Sequence, residues 1–339
     1  MKKKMLAALA ALVVAAGAFA QDFPAYFKMS GTVITGCDKD EIPDDLVIPN
    51  GVTEIGKEAF AECTYLESVV IPDSVTKIGE GAFKGSTSLK SVTLPDGVTE
   101  IGRNAFNNCA SLESIRIPEG ITEIGIDAFS NCASLLSVTI PGNVKTIFGA
   151  FSGCKSLKSV VIAEGVEKIG YEAFKACTSL ASVTIPNSVT EISDYAFAYC
   201  KSLEGISIPD SVKKIGVVAF SGSGLKTVTI PKGVKKIGDE WNGSSPFYEC
   251  TSLESVTISR GVTYIGYEAF SRCKSLKSVS IPRSVTKIGE GAFNECDNLT
   301  VQFDGTKAQW EAIEKHESYG IGWFAVKCTD GEFGIQMWR

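Results

Sequence analysis

The sequence predicts a right-handed solenoid, a horseshoe-like superhelix of about eleven stacked 23-residue coils. Each coil carries one short parallel strand plus short turns or a single helical turn, and a cap closes either end. Three observations predict it. Phenylalanine recurs at 60, 83, 106, 129, 151, 174, 197, 220, 247, 270 and 293, in steps of 23 with one 22 and one 27. Around each lies the pattern L-x-x-V-x-I-P-x-x-V-x-x-I-G-x-x-A-F-x-x-C, as in Leu112, Ile115, Ile117, Ile121, Ile124, Phe129 and Cys132. One such unit buries too few apolar side chains to offset the entropy of ordering its backbone, so neighbours must stack and pair strands.

The elements follow in chain order. Residues 1–20, "MKKKMLAALAALVVAAGAFA", have three lysines, an apolar run and Ala18-Phe19-Ala20 before Gln21. That is the pattern of a cleaved export leader. The run is short for a membrane span, and nothing later is apolar enough to be one. Residues 21–44 read as an N-terminal cap, 45–300 as the repeat array and 301–339 as a C-terminal cap. Within a unit, Val69 and Ile71 are two apart and share one face of a strand. Pro72 has no N–H and ends the ladder. The V-x-x-I piece is a second short extended or turning segment. Gly79 allows a turn through positive φ, although Ser193 and Phe148 take the same place. "EGAF" reads as one helical turn with Phe inward. The residue after the repeat Leu alternates in charge on adjacent coils, as in Glu67 and Lys90, Glu204 and Lys226, and Glu254 and Lys277. Such exposed pairs contribute little each, but they penalise a slip of one coil.

These phrases resemble the leucine-rich repeats of the BspA-like bacterial surface proteins over roughly Asp45 to Thr300. "FDGTKAQWEAI" and "CTDG" are similar to that family's closing segment, and "GTVITGCDKDEIPDDLVIP" to its opening one. The resemblance implies a secreted or surface-exposed protein that adheres to host or neighbouring-cell proteins.

The residues offer little chemistry. Nine of the eleven cysteines, at 63, 109, 132, 154, 177, 200, 250, 273 and 296, hold one repeat position that Ser86 and Ser223 also fill. Serine cannot cross-link, which favours a buried small residue whose S–H or O–H meets loop carbonyls. Bridges between neighbouring coils remain an alternative. A metal array is the weakest reading, since C-x-x-C is absent and the single histidine, His316, lies far off. A His316–Cys328 dyad is less natural than a solvated histidine beside a packed cysteine. No paired carboxylates stand out, and "GSGL" at 222–225 is a one-residue deletion rather than a phosphate loop. We therefore expect no enzyme, no cofactor and no metal.

A net charge of −6, or −9 once the leader lysines are removed, argues against nucleic acid or an anionic membrane as partner. The expected partners are extracellular or cell-surface proteins, and the location periplasmic, surface or secreted, with the chain a monomer. The outward strand residues are mostly Ser and Thr, and Arg116 is the one strong anchor among them. Variable positions offer more. Lys213 and Lys214 recur one coil later as Lys235 and Lys236, with Lys232 nearby. The five-residue insertion between Ile237 and Phe247 brings Trp241 and Tyr248. Tyr171, Tyr195, Tyr199, Tyr264 and Tyr267 are further aromatics at variable positions. A spacer of the cell envelope without a single ligand is the second reading.

Overall fold

The computed structural model describes residues 23–239, 245–315 and 323–337. The phenylalanines set its axis. From Phe60 to Phe293 each ring stacks on the next, with centroids 5.2–5.7 Å apart and planes within 13°. Around this stack the apolar columns read from the sequence are buried, from Leu46 to Val326. Parallel offset rings at this spacing are a favourable arrangement. They also set a coil-to-coil rise close to the spacing of paired strands.

Most coils contribute two strands rather than one. The V-x-I pieces pair in parallel, as Ser137–Ile140 with Ser159–Ile162, residue for residue one coil apart. The ends of the V-x-x-I pieces form a second parallel ladder, as Lys77–Ile78 with Glu100–Ile101. Along the second ladder threonine hydroxyls reach the carbonyl one coil back, as Thr286 to Thr263 at 3.3 Å.

The G-x-x-A-F-x-x-C piece is not a helical turn. Two residues per coil take the left-handed conformation, such as Glu58 (φ 53°) and Glu62 (φ 58°). Their N–H groups thereby point along the stack and donate to the next coil, Glu58 to Glu80 O at 2.8 Å and Glu62 to Lys84 O at 2.6 Å. A helical turn would spend those donors within its own coil. The glycine before this piece is also used differently from expectation. Gly79 and Gly102 do not need positive φ. A Cβ on Gly102 would lie 2.7 Å from Glu80 N and Gly79 C, so the glycine admits the preceding coil's backbone. Phe148 does not share that place. Its carbonyl accepts from Asp127 N, as Glu80 O accepts from Glu58 N, so the short coil has lost the glycine and Phe148 stands one place on.

The cysteine column takes the loop-carbonyl arrangement. Cys109, Cys132, Cys154, Cys177, Cys200, Cys250, Cys273 and Cys296 donate to the Phe carbonyl one coil back, at 3.1–3.3 Å. Ser86 does the same at 2.8 Å. Burial pushes the Cys109, Cys154 and Cys200 thiols up to about 12, so they remain protonated and unreactive.

At one end, Phe27–Ser30 and Val33–Cys37 form an antiparallel hairpin whose second strand pairs with Glu54–Ile55. At the other, Thr300–Asp304 pairs with Trp323–Cys328, which turns back antiparallel into Gly331–Met337. Between them the helix Lys307–Glu311 starts on Thr306, whose side chain and that of Gln309 cap each other's backbone N–H.

Both ladders are interrupted at the same two places. One V-x-I sheet runs through Asp45–Val47, Ser68–Val70 and Ser91–Thr93, a second from Ser137–Ile140 to Ser182–Thr184, and a third starts at Thr227–Ile230. The second ladder breaks between Glu123–Ile124 and Thr146–Ile147 and again between Lys214–Ile215 and Lys236–Ile237. The breaks coincide with the short coil and with the deletion and insertion around 224 and 240. The turn side stays joined across both, through Phe129 N to Ala150 O and Phe220 N to Pro246 O, each at 2.8 Å. The loop before each V-x-I piece is joined as well, through Leu136 N to Glu113 O at 3.1 Å and Lys226 N to Glu204 O at 2.9 Å, so the three blocks part only along the strand ladders. Amides of 115–117 and 206–208 are expected to exchange at least about tenfold faster than those of Ser159–Ile162. Uniform protection in hydrogen-exchange mass spectrometry would contradict this division.

Candidate functional site

The second break carries the lysines. Lys213 and Lys214 precede Ile215 as Lys235 and Lys236 precede Ile237, so the four ammonium groups face solvent on adjacent coils. Glu191 flanks them on the preceding coil, 3.5 Å from Lys214 and 3.5 Å from Lys168. Burial would raise the Glu191 carboxyl, but the Ser193 hydroxyl and these two lysines together hold it below its usual range. Lys232 is turned back onto Asp210 at 2.7 Å. Among the described residues Lys235 and Lys236 have no ion-pair partner. Like charges on adjacent coils repel, and the ladder is absent between these two coils.

The other expected residues lie elsewhere. Tyr248 sits on the turn edge, half-buried, with the Arg272 guanidinium 5.4 Å from its ring centre; Arg272 also binds Glu249 at 3.0 Å. Arg116 belongs to the V-x-I side and is already paired with Asp96 at 2.5 Å. It borders a cleft of about 360 Å³ between Ser114–Ile117 and Ser137–Thr139, where the first break opens the sheet. Trp241 lies outside the described residues, as do His316 and the leader. Tyr264 is buried. The charge ladder is formed as expected: Lys90 to Glu67 at 2.7 Å, Lys226 to Glu204 at 2.7 Å and Lys277 to Glu254 at 2.8 Å.

A second feature emerges on the turn edge of the central coils. Ile126, Phe148 and Tyr171 follow one another on adjacent coils at equivalent places, 47, 45 and 51% exposed. Tyr195 packs edge-on to Tyr171, centroids 5.7 Å apart, with the Lys175 ammonium 5.2 Å from its ring centre. Tyr199 is exposed just beyond. In the first three coils the same column reads Lys57, Glu80 and Arg103. The apolar change is therefore local. Tyr195 and Tyr199 hold left-handed positions, φ 59° and 61°, which other coils give to Gly, Asn, Asp, Glu, Ala, Val or Arg. The sequence displayed Tyr171, Tyr195 and Tyr199 as variable aromatics. It hid Ile126 and Phe148, which read as ordinary apolar residues until the coil geometry turned them outward.

Lysines steer, and exposed aromatics supply contact area. The geometry of this surface suits association. No group of three or more His, Cys, Asp or Glu side chains is placed to hold a metal among the described residues. No helix among them is long and apolar enough to cross a membrane.

Comparison with known proteins agrees with this architecture. The profile of the BspA type leucine rich repeat region (6 copies) matches residues 42–149, 148–246 and 242–308. No curated protein matches the chain. A leucine-rich repeat protein from Bacteroides ovatus ATCC 8483 is similar at 28% identity and TM-score 0.71, over 91% of this chain and 90% of that one. A leucine rich cell surface protein from Faecalibacterium prausnitzii A2-165 shares 30% identity over 90% of this chain and 100% of that one, with TM-score 0.46. The T. pallidum leucine rich repeat protein shares 32% over 60% of this chain and 89% of that one, with TM-score 0.47. With coils, columns and profile agreeing from residue 42 to residue 308, the chain belongs to the BspA-type leucine-rich repeat family.

Proposed function

We propose that this chain is an exported, non-catalytic solenoid that binds another protein outside the cytoplasm, as in adhesion to host or neighbouring cells. The observation that carries the reading is the exposed strip of Ile126, Phe148, Tyr171 and Tyr199 on the central coils, with half-buried Tyr195 packed into it. Large rigid side chains with polar tips give contact area at low entropic cost. The lysines at 213, 214, 235 and 236 lie toward the C-terminal end of the strip, Lys214 being three residues before Val217, whose N–H binds Asp194 beside Tyr195. They would steer an acidic partner toward these anchors. Tyr248, on the same turn edge, extends the candidate surface, and Trp241 is included on the sequence insertion alone. A spacer role without a ligand leaves the exposed row of Ile126, Phe148, Tyr171 and Tyr199 without a purpose.

The test is surface plasmon resonance of the leaderless protein against a panel of extracellular-matrix and envelope proteins. For a binder, Phe148→Ala with Tyr171→Ala is expected to weaken affinity by about 1–4 kcal/mol, mainly through faster dissociation. Lys214→Glu with Lys236→Glu should slow association and flatten its salt dependence. Circular dichroism serves as the folding control. Folded variants that bind like the parent would move the site elsewhere. Silence across the whole panel would favour the spacer.

A further inference from the structure

The cysteine column opens on an irregular member. Ser86 and the eight later cysteines each have a Phe carbonyl of the preceding coil as acceptor, as Cys109 has Phe83 O at 3.1 Å, while Ser223 meets the Cys250 sulfur at 3.5 Å. Cys63 opens the column, so no coil lies before it to supply that carbonyl. Its Sγ instead faces the Sγ of Cys37 at 3.5 Å, while the nearest backbone acceptor, Ala61 O, is 4.0 Å away. Cys37 ends the hairpin strand Val33–Cys37, and its distance in sequence from Cys63 is 26 residues, the same as between Cys109 and Phe83. The hairpin thus places a thiol where every full coil places a carbonyl. Both thiols are buried, and two thiols are weak partners for one another.

We propose that Cys37 and Cys63 are joined by a disulfide in the exported protein, made by exchange with the oxidised dithiol of a thiol–disulfide donor. An S–S bond is about 2.05 Å long, so the two sulfurs, 3.5 Å apart, need to close by about 1.5 Å. The Cys37 thiolate attacks one sulfur of the donor disulfide, and the other donor sulfur leaves as a thiolate. Cys63 then attacks the Cys37 sulfur, forming the Cys37–Cys63 bond and releasing the first donor sulfur. The two protons of Cys37 and Cys63 end on the two donor sulfurs, and two electrons pass to the donor. A terminal hairpin frays readily, which admits the donor before the pair is sealed.

The bond would have a mechanical purpose. A solenoid opens from its ends, where a coil has one neighbour instead of two. The hairpin covers the first coil through Phe27, whose ring meets Phe60 edge-on at 6.0 Å. Closing the loop between Cys37 and Cys63 removes freedom from the open state and keeps that cover in place. The inference rests on the reading that the chain is exported, because reducing compartments keep thiols free.

The experiment uses the full chain expressed with its leader, recovered from the envelope or medium in the presence of a thiol-blocking reagent. Intact mass should show loss of the leader and two fewer reactive thiols than the eleven of the sequence. Digestion should yield one cross-linked pair containing Cys37 and Cys63. Dithiothreitol should speed amide exchange in Val33–Cys37 and Glu54–Ile55 by about tenfold or more, and leave Ser159–Ile162 unchanged. Cys37→Ser should behave like the reduced parent whether or not reductant is present. A protein that has lost its leader yet carries eleven free thiols overturns the proposal, and so does a bridge between other cysteines. Purified reduced protein treated with oxidised glutathione separates the two readings. If it forms the Cys37–Cys63 bond while the cellular protein keeps both leader and thiols, the geometry stands and export fails.

Discussion

Phe129→Ala is expected to destabilise the protein by about 3–5 kcal/mol, the cost of deleting a fully buried aromatic ring. Phe129 has no exposed surface and stacks between Phe106 at 5.2 Å and Phe151 at 5.4 Å. Its place makes the effect specific. The strand ladders are absent between its coil and the next, so the stack, the turn-side rungs, the loop bonds such as Leu136 N to Glu113 O and the Cys154 thiol on Phe129 O carry the junction. Removing the ring should loosen that junction and let the blocks on either side melt at different denaturant concentrations. Contacts in a solenoid are nearest-neighbour, so distant coils should keep their protection. Tyr195→Ala removes a half-buried ring from a strained position and should cost less than about 1 kcal/mol. Urea titration followed by far-ultraviolet circular dichroism measures both. Equal midpoint shifts would contradict the assignment of Phe129 inward and Tyr195 outward.

Gly102→Ala is expected to cost about 1–3 kcal/mol although it adds a single methyl group. The methyl carbon would meet the backbone at Gly79 and Glu80, both 2.7 Å away, and a backbone already bonded into its own coil cannot retreat as a side chain tip can. The lower entropy of the unfolded alanine chain offsets about 0.4–1 kcal/mol of the clash. Gly205→Ala is the control, since a Cβ there meets nothing within 4 Å, and its effect should stay within about 0.5 kcal/mol. If the two variants melt together, the glycine column reflects turn chemistry instead of close approach between coils. The seventh coil holds Ser193 at this place, with its N–H still on Ile169 O at 2.8 Å. The separation of backbones is therefore adjusted coil by coil.

The amino-acid sequence by itself determined the period, the inward columns and the kind of fold. Those properties depend on which residues are apolar and how far apart they stand. Phe, Ile, Val and Leu at fixed intervals bury one way only, and the alternation of Glu67 with Lys90 follows from the same spacing. The role of Cys109 and its fellows was legible too, because Ser86 can keep a carbonyl bond but not a bridge.

Tertiary structure decided what depends on how one backbone lies above the next. Left-handed residues replaced the expected helical turn because the N–H groups of Glu58 and Glu62 find their acceptors one coil away. Gly102 proved to be a matter of contact and not of φ, since the atoms it makes room for belong to residues 22 and 23 places earlier. One missing residue moved Phe148 out of the glycine place and onto the surface beside Ile126 and Tyr171. Cys37 lay outside the repeat in the sequence and became the partner of Cys63 only when the hairpin docked. Residue identity encodes burial, whereas axial contact between coils is set jointly by all the coils that stack, so no single unit could reveal it.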